Sequence, residues 1–180
     1  MTGTAGDEPD ARQGAFRIER LTERHDRSGF NSGVPALDGY LHTQVGQDIR
    51  RRVASCFVAL DRAGLVAGYY TLAAASVVPA DLPDEVVRRL PRYPSLPAYR
   101  IGRLAVDQGA RGQKLGAALL ADALRRALRA EAAAVAMLVN AKDDQAGAFY
   151  RHHGFLGLSG RPLTLSLPLA TAAKLVGVAT

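Results

Sequence analysis

Between Arg111 and Gly116 the chain places two glycines, an arginine and a lysine within six residues, shortly after the run Arg103-Leu104-Ala105-Val106-Asp107. Residues as small as glycine let a ligand come close to the main chain. A helix that begins there has unpaired first N–H groups and a dipole that favours negative charge, so the turn suits a phosphate or pyrophosphate. Arg111 and Lys114 add full positive charge beside it. Two familiar phosphate motifs are excluded by inspection. Lys114 stands between Gln113 and Leu115, not in Gly-Lys-Ser/Thr, and no window reads G-x-G-x-x-G. Glycine turns before helices also serve packing alone, and on these residues both readings stand.

Such a turn needs a strand before it and a helix after it. Tyr99–Val106 supplies the strand. From Gly116 to about Ala130, Leu119, Leu120, Leu124, Ala127 and Leu128 recur at helical spacing, leaving Asp122, Arg125, Arg126 and Arg129 outward. Val135–Asn140 is apolar almost throughout, as a strand covered on both faces should be. Strand, helix and strand form a right-handed βαβ unit with the turn at the first strand's end.

The rest of the chain surrounds that unit. Residues 1–14, rich in Gly, Thr, Asp and Pro, read as a disordered leader, and a first strand runs from Phe16 to Leu21. Val34, Leu37, Leu41, Val45 and Ile49 trace one helix face, with Asn31 or Ser32 as its cap and Pro35 early. Arg50, Arg51 and Arg52 at its end either complement the dipole or meet a nucleic acid backbone. Ser55–Leu60 and Leu65–Leu72 flank Asp61-Arg62-Ala63-Gly64 as a hairpin. Dense prolines from Pro79 to Pro97 stiffen a connection with a short helix near residues 84–90. It carries Arg88, Arg89, Arg92 and Tyr93, either an ordinary linker or one wall of a substrate site. Asp143 or Asp144 caps a helix ending at Gly154, and Pro162–Leu169 alternates as a last strand.

A length of 180 residues suits one domain, placed at 15–175, and a 48% hydrophobic content excludes a globally disordered chain. No apolar run is long enough to span a membrane and no stretch reads as a signal peptide. Cys56, the single cysteine, has no internal disulfide partner, and without Cys/His clusters no metal is expected. A reducing cytoplasm is the simplest location. The net charge of +6 favours a polyanionic partner, nucleic acid first.

The strand and turn together resemble the acyl-CoA signature Gln/Arg-x-x-Gly-x-Gly/Ala of the GNAT N-acetyltransferase superfamily. Arg111 fills its first place and Gly116 its last, with Lys114 where the middle glycine is usual. Phe149-Tyr150-Arg151-His152-His153-Gly154-Phe155 resembles that superfamily's Phe-Tyr-x-x-x-Gly-Phe block. A narrower resemblance covers nearly the whole chain beyond the leader. Phe30-x-Ser32-Gly33-x-x-x-Leu37-Asp38-x-Tyr40-Leu41, Gly68-Tyr69-Tyr70-Thr71-Leu72, Leu90-Pro91-Arg92-Tyr93-Pro94, Gly102–Asp107 and Phe149–Phe155 are similar to blocks of the GNAT toxins of bacterial type II toxin–antitoxin modules.

The resemblance implies an α/β (α+β) GNAT fold: a mixed, mostly antiparallel central sheet with a parallel splay between its fourth and fifth strands, flanked by helices. It implies acetyl-CoA as co-substrate, with the diphosphate on Arg111, Gly112, Gln113, Lys114, Leu115 and Gly116. The pantetheine arm follows the backbone of Leu104, Ala105 and Val106; Asn140, ending the neighbouring strand, either bonds the CoA from the other side or is an ordinary satisfied strand-end asparagine. Tyr150 takes the place of the tyrosine that protonates the departing thiolate, and a phenol with a reference pKa of about 10 is protonated at neutral pH. The reaction is direct attack by a neutral amine, with no strong base required. By the same resemblance the amine is the α-amine of aminoacyl-tRNA, and its acetylation blocks translation. The partner is a ribbon-helix-helix antitoxin, and the protein is a cytoplasmic homodimer. Two other functions fit the residues: a non-toxic N-acetyltransferase of a small amine or protein, and a regulatory module that binds CoA without turnover.

Overall fold

The computed structural model describes residues 14–179, and the leader expected over 1–14 lies, apart from Gly14, outside them. Seven strands form one sheet: β1 (Arg17–Arg20), β2 (Ser55–Leu60), β3 (Val66–Val77), β4 (Leu96–Val106), β5 (Ala136–Asn140), β6 (Leu156–Leu158) and β7 (Arg161–Pro168), in the order β1-β2-β3-β4-β5-β7-β6. Every neighbouring pair is antiparallel except β4 and β5, which are parallel and joined by α4 (Leu115–Arg129). The helices are α1 (Pro35–Gly39), α2 (Val45–Arg50), α3 (Asp84–Val87), α4, α5 (Asp144–His152) and α6 (Leu169–Val176).

Alternation along the strands sorts the core onto two faces. Phe57, Ala59, Ala67, Tyr70, Ile101, Met137 and Val139 pack with Leu115, Leu119, Leu120 and Leu124 of α4, with Tyr150 and with Ala172 of α6. On the other face Cys56, Val58, Leu60, Tyr69 and Ala105 pack with Tyr40, Leu41 and Val45, while Ala98, Ala136 and Leu138 pack against the α3 region through Leu82. Asp122 anchors α4 to the sheet, accepting from the Tyr70 hydroxyl at 2.6 Å and from Arg126 Nε at 2.7 Å. Asp122 and Arg126 are therefore half-buried, not outward as the pattern of the helix alone suggested.

Several elements differ from the sequence expectation. The first helix is split: a π turn over Tyr40–Gln44 separates α1 from α2, the Val45 N–H donating to Tyr40 O. Neither Asn31 nor Ser32 caps it; Val34 is the N-cap, and Ser32 Oγ instead donates to Asp38 Oδ1 at 2.6 Å. The hairpin forms as expected, with Asp61 Oδ1 accepting from Ala63 and Leu65 N–H across the turn, but β3 continues to Val77. β6, only three residues long, and α6, which follows Pro168 without a side-chain cap, carried no sequence signal.

Candidate active site

Two features of β4 open the sheet. Between Tyr70–Leu72 of β3 and Ile101–Leu104 of β4 the register shifts, a bulge that adds one residue to β4. The Arg103 N–H, displaced from the ladder, donates to Thr71 Oγ1 at 3.0 Å. On the other side, pairing with β5 ends at Ile101–Val139, so Leu104 to Val106 run on with no β5 partner. Asp107 N–H donates to Ala67 O at 2.8 Å, and antiparallel alternation then turns the amides of Leu104 and Val106 away from β3, into the gap. Ala105, between them, is buried and packs on the α1–α2 side.

That gap is a cleft of about 260 Å³ lined by Leu104, Val106 and Gly116, by Lys142, Asp143, Gln145 and Ala146 at the start of α5, and by Phe149 and Tyr150. Val106, Gly116, Gln145 and Phe149 also line a larger hollow of about 880 Å³ over the turn, with Arg111, Gly112, Lys114, Leu115, His152 and His153. The two form one continuous groove from the start of α4 into the split sheet. Gln113 lies on the other side of the turn, in a separate groove shared with Phe16 and Phe30.

The turn is built to leave amides free. Asp107 Oδ1 caps the short 3-10 turn at Gly109, and Asp107 Oδ2 accepts from Asn31 N–H, both at 2.8 Å. Gly112 has φ +77°, and a Cβ there would meet nothing within 4 Å. Lys114, in the place where glycine is usual, holds the left-handed conformation (φ 59°, ψ 20°) as N-cap of α4 and makes no side-chain cap. The first-turn amides of α4 therefore face the hollow unpaired. The lysine is exposed and does not fill the turn. Arg111 is used differently from the expectation: its Nη2 donates to Ser32 O at 2.6 Å, tying the turn to the loop before α1.

Tyr150 decides the chemistry of the inner end. Its ring is 7% exposed and stands edge-on to Phe149 and Phe155, at centroid distances of 5.2 and 5.5 Å. Four other tyrosine hydroxyls are occupied: Tyr40 donates to Asp48, Tyr69 to Leu37 O, Tyr70 to Asp122 and Tyr99 to Ala132 O. Tyr93 is 60% exposed, so among the described residues Tyr150 carries the one buried phenol with no protein partner. Burial pushes its pKa up to about 12, which keeps it a donor. The only carboxylate of the cleft, Asp143, is held below the usual range by its hydrogen bond from Lys142 and then by the Ala146 N–H it caps, and is a weak base.

Of the other expected site residues, Asn140 is exposed, pairs with Thr164 of β7 and does not line the cleft. The β5 side of the wall is formed instead by residues 142–146, whose only sequence signal was the Asp143 cap. Arg88, Arg89, Arg92 and Tyr93 are exposed near α3, before Leu96, roughly 25 Å of extended strand from Leu104. They do not join the cleft.

Residues 52–156 match the acetyltransferase (GNAT) domain. This chain belongs to the GNAT acetyltransferase family. The GNAT chain is 38% identical over 160 residues, 88% of its length and 95% of the relative's, to a tRNA-acetylating toxin of Mycobacterium tuberculosis. Its fold is similar to that of AtaT complexed with acetyl-methionyl-tRNAfMet, with a TM-score of 0.79 and 28% identity over 89% of this chain and 98% of that one. It is also similar to a Tyr-to-Phe variant of the toxin AtaT bound to the C-terminus of the antitoxin AtaR and acetyl-CoA, with a TM-score of 0.73 and 25% identity over 90% and 98%. The split beside Leu104 is thus the GNAT splay, and the acyltransferase reaction class fits a groove that joins the unpaired amides at the start of α4 to the Tyr150 phenol.

Proposed function

We propose that this GNAT protein is a toxin that transfers an acetyl group from acetyl-CoA to the α-amine of aminoacyl-tRNA and so stops translation. The observation that carries the reading is the unpartnered Tyr150 hydroxyl at the inner end of the groove that begins on the α4 amides. Its support from relatives is the tRNA-acetylating toxin of 38% identity.

Acetyl-CoA supplies an activated thioester, and its negative phosphates fit the free amides of residues 112 and 114–116 with the Lys114 charge beside them. The Leu104 and Val106 amides hold the pantetheine arm as an added strand would and orient the carbonyl. Tyr150 donates its proton to the departing sulfur. The one carboxylate of the cleft is a weak base, so the acceptor arrives as a neutral amine; an α-amine, with a reference pKa of about 8, has a neutral fraction of about a fifth at physiological pH, enough to react without a base.

The cytoplasm, where charged tRNA is found, is the compartment this function requires, and no helix among the described residues is long and apolar enough to cross a membrane. Relief of toxicity comes from a ribbon-helix-helix antitoxin, and the active form is a homodimer of single domains spanning 15–175. Exposed Arg88, Arg89 and Arg92 are outlying contacts for the tRNA body.

The test is incubation of the purified protein with labelled acetyl-CoA and bulk aminoacylated tRNA. Label is expected on the aminoacyl group and is lost with Tyr150→Phe. Label on small amines or proteins but never on tRNA would overturn the reading.

A further inference from the structure

Arg100 Nε is the one fully buried side-chain polar atom among the described residues that has no hydrogen-bond partner. A buried guanidinium donor left unpaired is costly, and native structures keep few of them. No carboxylate lies within ion-pair distance of Arg100 among the described residues. Its register neighbours, Ala73 on β3 and Leu138 on β5, offer no side-chain acceptor.

Its place in the sheet gives that unpaired donor a direction. Tyr99 and Ile101 pack toward α4, and Ala98 packs on the α3 side, so Arg100 projects from the face opposite α4. One residue further on, at Ile101–Val139, β4 and β5 stop pairing and the splay opens. This face is covered at one end by the α1–α2 cluster and at the other by the α3 cluster; between them Arg100 as a whole is only half-buried, and its Nη groups, which make no hydrogen bond among the described residues, are the part of the fork that a ligand can reach. Arg103, on the same face, is already engaged, its guanidinium 3.6 Å from the centroid of the Tyr40 ring.

The anion-binding turn belongs to α4, and Tyr150 packs on the α4 side. Direct attack through the split sheet therefore brings the acceptor from the opposite face, over the strip where Arg100 stands. We propose that Arg100 binds an oxyanion of the acceptor and so helps set which acceptors are used. This rests on the aminoacyl-tRNA reading. Two oxyanions lie near an aminoacyl α-amine: the phosphodiester of the terminal nucleotide and the carboxylate of an acidic aminoacyl side chain. Both match the planar fork of arginine.

The experiment compares wild type, Arg100→Met and Arg100→Lys with bulk aminoacyl-tRNA, aspartyl-tRNA and aminoacyl-adenosine esters that lack the phosphodiester. Arg100→Met is expected to raise KM for the acceptor about tenfold or more, with Arg100→Lys between the two and KM for acetyl-CoA unchanged. Because the Nε has no protein partner, the melting temperature of Arg100→Met should be equal to or above wild type. A penalty shared by all tRNAs and absent with the adenosine esters assigns the phosphodiester. A penalty confined to aspartyl-tRNA assigns the side-chain carboxylate. Unchanged acceptor KM throughout, or a lower melting temperature accompanied by a shift in KM for acetyl-CoA, overturns the proposal while leaving the enzyme's function intact. Absence of transfer to any tRNA by wild type would instead overturn the function and this assignment with it.

Discussion

Arg111 Nη2 donates to the carbonyl of Ser32 at 2.6 Å, across 79 positions of sequence. Together with the Asn31 N–H to Asp107 bond at 2.8 Å, it fastens the turn before α4 to the loop that precedes α1. The turn proposed to hold the phosphates is thus held from both halves of the chain. Gly33 sits under this tie with φ +81°, and a Cβ there would stand 2.5 Å from Gln108 Nε2.

Arg111→Ala should therefore lower stability even with no ligand present. A loss of about 1 kcal/mol is expected for this part-buried charge-assisted bond, read as a melting temperature lower by about 3 °C, together with a higher KM for acetyl-CoA. A residue serving only as a phosphate ligand would change affinity and leave the ligand-free melt where it was.

Lys114 presents the opposite balance. Its left-handed conformation costs a non-glycine residue roughly 1 kcal/mol, while the residue lines the hollow and brings a positive charge to it. Lys114→Gly is expected to hold or slightly raise the melting temperature and to raise KM for acetyl-CoA several-fold, with a weaker salt dependence of cofactor binding. Tighter binding by the glycine variant would mean that the lysine obstructs the loop.

Tyr150→Phe removes a hydroxyl that no protein group needs. Single-turnover transfer should slow by about 10²- to 10⁴-fold, the usual worth of a positioned acid, with affinity for acetyl-CoA within twofold of wild type. Equal rates in the two proteins would assign proton donation elsewhere.

The same phenol gives a pH signature. Its folded pKa, about 12, lies above the reference value of about 10, so its contribution to stability is complete below pH 10 and is lost as pH rises from 10 toward 12. Denaturant titrations at pH 8 and pH 11 should show wild type losing about 1 kcal/mol more than Tyr150→Phe over that interval. Identical losses would place the phenol in contact with bulk water.

Much of the fold was written locally. The hairpin around Asp61–Gly64, the apolar stripe of α4, the Asp143 cap and the strand–turn–helix at residues 103–116 each depend on neighbours within a few positions, and each formed. Periodicity could not report the π turn at Tyr40–Gln44. It could not foresee that Asp122 would turn inward either, because both follow from what packs against them.

The sequence by itself determined most of the elements and the strand–turn–helix at residues 103–116, because these rest on residue type, spacing and main-chain hydrogen bonding. Only the tertiary structure decided how the charges are used. Arg111 spends its guanidinium on Ser32, Asn140 falls outside the cleft, Tyr150 alone among the buried tyrosines lacks an acceptor, and the Nε of half-buried Arg100 has none either. Each outcome depends on which distant backbone or side chain arrives within about 3 Å, and chain closure over many tens of residues sets that, not the local pattern.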